Sequence, residues 1–131
     1  MPRILLLDDE PDLLLALSVR LTAAGFGCET ARNGMEGLAK LEERMPDVII
    51  TDLIMPQMNG YEFVRRLKAA STTAPIPVIV LTAVQKQTLE HRAPELVGTH
   101  VMFKPFEFEK LVALIRELAG SATSQEGGVH G

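Results

Sequence analysis

Short apolar runs alternate along the chain with longer segments in which apolar residues recur every three or four positions. Ile4-Leu5-Leu6-Leu7 is continuous, ends in two acids, and predicts a buried strand. Leu13, Leu14, Leu17 and Leu21 follow at helical spacing, with Pro11 suited to the first turn and Gly25 to the stop. Phe26 to Ala31 is a weaker second strand. Asn33 stands three residues before Glu36, the pattern of a capping box. Met35, Leu38, Leu41 and Met45 predict the buried stripe of the helix that it opens, and Pro46 follows.

The plan then repeats. Asp47 to Asp52 is a β-branched strand ending in an acid, and the loop Met55 to Gly60 leads to a helix carrying Phe63, Val64 and Leu67. Pro77 to Thr82 is a fourth strand, ending in a hydroxyl, and Val101 to Pro105 a fifth, ending in a cation. A last helix buries Leu111, Val112, Leu114, Ile115 and Leu118. Between the last two strands, Gln85 to Ala93 has helical character, and Pro94 should kink or end it. Strands alternating with helices imply crossovers and a mostly parallel sheet, and continuous apolar runs imply helices on both faces. The expectation is a doubly wound, five-stranded α/β domain over residues 1–119, with 120–131 a small, polar, flexible tail or linker.

Composition narrows the class. The chain has 131 residues, 47% hydrophobic and 23% charged, which suits one globular domain and not a disordered segment. No apolar run approaches the roughly 20 residues that cross a membrane, and the start lacks the length and cleavage site of a signal peptide. The single Cys28 excludes an internal disulfide and fits a reducing, cytoplasmic setting. A net charge of -4 gives direct nucleic-acid binding no support. His91, His100 and His130 lack metal-ligand spacing, and no Ser-His-Asp arrangement is visible.

The polar residues at the strand ends carry the chemistry. Asp8 and Asp9 follow strand 1, Asp52 strand 3 and Lys104 strand 5, while Thr82 ends strand 4. In a parallel sheet these carboxyl ends share one edge, where open α/β sheets bind ligands. Clustered carboxylates call for a cation, and an all-oxygen set selects a hard one, Mg2+ first. A carboxylate can attack phosphorus to give an acyl phosphate, with metal, ammonium and hydroxyl neutralising its oxygens. Simpler readings exist for each part: an acidic pair before a helix commonly caps it, Asn59-Gly60 suits a turn and helix start, and Cys28 suits an inert core position.

These residues resemble the receiver domain of two-component response regulators. The resemblance rests on Leu6-Leu7-Asp8-Asp9-Glu10, on Asp52 to Gly60, on Leu81-Thr82-Ala83 and on Phe103-Lys104-Pro105-Phe106, in that order along nearly the whole chain. It implies a flavodoxin-like fold with strand order 2-1-3-4-5 and five helices. It implies that Asp52 accepts phosphate from a sensor histidine kinase or phosphotransfer protein. Asp9 and Asp52 would bind Mg2+ with the backbone carbonyl of Ile54, and Asp8 would hold it chiefly through water. Thr82 would bind a phosphoryl oxygen, Lys104 would pair with the group, and Ala83 would leave the phosphorus open. Pro105 would follow a cis peptide. A downstream protein partner, and a homodimer through the face of the fourth and fifth helices, belong to the same picture.

Two departures stand out. The family usually places Tyr or Phe where Val101 stands, with Phe103 the nearest aromatic on that strand face, and Pro94 interrupts the fourth helix. They raise an alternative, a receiver-like interaction module working without phosphorylation. A turnover enzyme is a third reading. Aspartate-nucleophile phosphohydrolases carry a second Asp two residues after the nucleophile, and Ile54 there leaves no proton donor for a leaving group.

Overall fold

In the computed structural model, which describes residues 1–91 and 93–128, five parallel strands form one sheet in the order β2-β1-β3-β4-β5. The strands are β1 (Arg3–Leu7), β2 (Gly27–Ala31), β3 (Val48–Thr51), β4 (Val78–Thr82) and β5 (His100–Phe103). The helices are α1 (Pro11–Ala23), α2 (Gly34–Glu43), α3 (Gly60–Ala69), α4 (Lys86–His91) and α5 (Phe108–Gly128). This is the flavodoxin-like, doubly wound arrangement expected from the strand–helix alternation.

The strand periodicity of two divides the core. Leu5, Leu7, Ile49, Val78 and Val80 point to the face covered by α2 and α3, with Leu89 and Leu96 joining them. Ile4, Leu6, Val48, Ile50, Ile79 and Leu81 point to the face covered by α1 and α5. Central β1, β3 and β4 are buried on both faces, which is why their sequences read as unbroken apolar runs. β5 is an edge strand and keeps Val101 and Phe103 each 37% exposed.

The helix ends follow their local sequence. Pro11 opens α1, and at its far end Gly25, at φ 101°, lets Phe26 N–H reach the Leu21 carbonyl and its own N–H reach Thr22, a Schellman stop. Asn33 and Asn59 cap α2 and α3 by accepting from the amides of Glu36 and Glu62 at 2.9 and 3.0 Å. Glu36 reaches back to the amide of Arg32, one residue earlier than a capping box requires.

One expectation is corrected and one is refined. Met35 and Met45 do not form the buried stripe of α2; both are exposed, and Gly34, Gly37 and Leu41 face inward. The reason is room: a Cβ on Gly37 would lie 2.6 Å from Leu7 Cδ2, so this helix meets the sheet through glycine. Pro94 does break the fourth helical segment, α4 ending at His91 and a 3-10 turn spanning Ala93–Leu96. α5 runs through Gly128 and so includes part of the 120–131 stretch. His130 lies outside the described residues.

Candidate functional site

Backbone hydrogen bonds carry the sheet ladder one residue past its carboxyl edge, and those residues are the charged ones. The amide of Asp8 donates to Ala31 O at 3.1 Å, that of Asp52 to Leu7 O at 3.2 Å, and that of Lys104 to Thr82 O at 2.8 Å. Each side chain is thus placed by a rigid strand, and the three converge. Lys104 Nζ stands 3.2 Å from Asp8 Oδ2 and 3.2 Å from Asp52 Oδ2. Asp8 is 6% exposed and Asp52 9%, so water screens these pairs poorly. The Lys104–Pro105 peptide is cis.

The other carboxylate oxygens go to main chain. Asp8 Oδ1 accepts from the Glu10 amide at 3.0 Å, the bond that turns the chain into α1. Asp52 Oδ1 accepts from the Leu53 amide at 2.6 Å and, at 3.4 Å, from that of Ile54. Burial alone works against the Lys104 ammonium, but the charges of Asp52 and Asp8 outweigh it and hold its pKa above the ordinary lysine value.

Asp9 points elsewhere. It is exposed, its side chain makes no hydrogen bond or ion pair among the described residues, and it lines an open cleft of about 490 Å³ with Asp52, Ile54, Ala83 and Lys104. The three acids therefore share one rim, but they are not a tight cluster. Among the described residues no three acidic, histidine or cysteine side chains stand close enough to hold a metal by themselves. Thr82 is fully buried at the end of β4, its hydroxyl accepting from the Val84 amide at 3.0 Å, and Ala83 and Val84 form the cleft wall. Val101 lies on the exposed edge strand, and Phe103 is in register with Thr82.

One residue that shapes the site was not singled out for it by the sequence. Gly60 seats the start of α3 directly on the Asp52 backbone: a Cβ there would lie 2.3 Å from Asp52 O and 2.6 Å from Leu53 Cα. The Asn-Gly pair signalled a turn, yet not this contact. Asp8, expected to act on a metal through water, is bonded directly to Lys104. The acidic pair does not cap α1 either; its N-cap is Glu10, without a side-chain cap bond.

Comparison with known proteins identifies the family. Residues 4–116 match the family model of the response regulator receiver domain. RpaA of Synechocystis, a DNA-binding dual master transcriptional regulator, is 34% identical over 90% of this chain and 49% of its own length. PilH of Pseudomonas aeruginosa is 33% identical over 92% of this chain and 100% of PilH. The chain thus spans about half the length of the first curated relatives it matches, and all of PilH. The signal receiver domain of a histidine kinase from Syntrophus aciditrophicus superposes with TM-score 0.87 at 31% identity, covering 92% of each chain.

Proposed function

From the premise that this chain belongs to the response regulator receiver domain family of two-component signalling, we propose that it is a switch whose phosphoacceptor is Asp52. The donor is a sensor histidine kinase or a phosphotransfer protein, and phosphorylation changes the affinity for a downstream protein partner. The observation that carries this reading is the Lys104 ammonium held 3.2 Å from both Asp8 and Asp52 beside an open cleft.

A carboxylate oxygen of Asp52 forms the new O–P bond as the P–N bond to the donor imidazole breaks, the electron pair leaving with the imidazole. Lys104 then meets the phosphoryl oxygens, Thr82 offers its hydroxyl, and Ala83 leaves space on the approach side. Mg2+ takes one or two carboxylates and keeps waters, so the donors of this cleft suit it without a three-acid cluster. Asp9, Asp52 and the Ile54 carbonyl would hold it and Asp8 would act through water; when bound, it neutralises charge on the transferred group. Receiver domains are signalling switches and not turnover enzymes, and Ile54 supplies no acid for a leaving group. Residues 1–119 form the proposed receiver unit, with 120–131 a tail or linker. Among the described residues no helix is long and apolar enough to cross a membrane. We assign the chain to the cytoplasm, with contacts to protein rather than nucleic acid and a homodimer through the α4–α5 face as a further assembly.

The test is labelling by a small acyl phosphate with and without Mg2+. Wild type and Asp12→Asn should take the label, Asp52→Asn should not; equal labelling of wild type and Asp52→Asn removes the assignment. The half-exposed Val101, with no aromatic ring at its position, favours a second reading in which partner binding ignores phosphate. Partner affinity with and without beryllofluoride separates the two: a ratio near one selects the second.

A further inference from the structure

The acceptor carboxylate is held by a peptide group, and that peptide is itself held. Asp52 Oδ1 accepts from the Leu53 amide at 2.6 Å. The carbonyl of the same peptide unit, Asp52 O, accepts from the hydroxyl of Thr51 at 2.8 Å. Thr51 is fully buried in β3, in register with Leu7 on one side and Val80 on the other. Its hydroxyl, the peptide and the carboxylate form one continuous chain of donors and acceptors.

Such chains strengthen each member: a bond accepted at a carbonyl polarises the peptide and makes its N–H a better donor. The carbonyl also stands at the end of β3, where the ladder stops, and a buried carbonyl left unpaired is costly. Gly60 packs against the same oxygen, which any Cβ there would strike. The peptide plane is therefore pinned, and with it the rotamer that leaves Asp52 Oδ2 for Lys104.

We propose that Thr51 is a positioning residue for phosphoryl transfer, acting through the Asp52–Leu53 peptide to orient the acceptor carboxylate. This rests on the reading of Asp52 as phosphoacceptor. Valine keeps the shape of threonine and removes the hydroxyl; serine keeps the hydroxyl. In the full chain, Thr51→Val should lower the maximal labelling rate by a small acyl phosphate about tenfold, the lower end for loss of an outer partner at a site. The half-saturating donor concentration should stay unchanged, and Thr51→Ser should return the rate to within about twofold. The Leu53 amide proton should move upfield in Thr51→Val and return in Thr51→Ser. In wild type the Thr51 hydroxyl proton should exchange slowly enough to be seen by NMR, a measurement that needs no variant to fold. A wild-type rate and an unmoved Leu53 amide in Thr51→Val, a Thr51→Ser chain no better than Thr51→Val, or a freely exchanging wild-type hydroxyl would each overturn the proposal. If wild type takes no label, the phosphoacceptor reading fails, and the Leu53 shift still decides whether Thr51 orients the peptide.

Discussion

Replacing Lys104 by methionine keeps the aliphatic stem and removes the ammonium from between Asp8 and Asp52. Two ion pairs at 3.2 Å are lost at once, each with a Coulomb energy of about 5 kcal/mol at an effective dielectric near 20. Desolvation of the three charges offsets much of that sum. Removing one partner of a buried pair typically costs 3–5 kcal/mol, and the 18% exposure of the lysine side chain points to the low end, about 3 kcal/mol. Urea unfolding monitored by circular dichroism measures this as a lower midpoint at unchanged slope. The cost should shrink by about 1 kcal/mol or more in the Asp8→Asn background, where one carboxylate is already neutral. Mg2+ should recover part of the loss, because a divalent cation meets the same bared acids. Lys104→Met as stable as wild type, or equally destabilising beside Asp8 and Asn at that position, would refute the charge argument and leave Lys104 a packing residue.

Gly60→Ala should destabilise by about 1–3 kcal/mol by thermal melting, since its Cβ would meet backbone at 2.3 Å. Gly34→Ala should cost less, because the obstacle there is the flexible Met58 side chain; the reverse order contradicts the account. The pKa of Lys104 is raised on folding, so its contribution is complete below the unfolded lysine value of 10.5 and is lost as pH rises through the higher folded value. The stability advantage of wild type over Lys104→Met should therefore persist at pH 9 and narrow above about 10.5. Burial first, and then the neighbouring Glu29 charge, push the Cys28 thiol up to about 11 from 9.0. At pH 8 its thiolate population falls about a hundredfold below that of a free thiol, so a disulfide reagent should react slowly in the folded chain and fast in urea.

The fold and the charged site were legible for the same physical reason. Strands buried on both faces must be apolar, so Asp8, Asp52 and Lys104 stood out as the points where β1, β3 and the β5 edge run out of core. The crossover rule then put those ends on one rim. What stayed hidden was volume and partner choice. The buried side of α2 could not be found from apolar spacing, because Gly34 and Gly37 occupy it for want of space while Met35 faces solvent. Thr51 looked like any β-branched strand residue, since nothing local reveals that its hydroxyl meets the Asp52 carbonyl. Asp8 and Asp9 are adjacent and chemically identical, and only the direction of the chain after β1 makes one a buried partner of Lys104 and the other an exposed wall of the cleft.

The most direct test is chemical mapping of the label. Treat the wild-type chain with a small acyl phosphate and Mg2+, reduce with borohydride, digest, and read the peptides by mass spectrometry. An aspartyl phosphate becomes homoserine, and the account predicts that conversion at residue 52 alone, lost when Mg2+ is withheld. Homoserine at any other acid, or none while the chain remains folded, would contradict it.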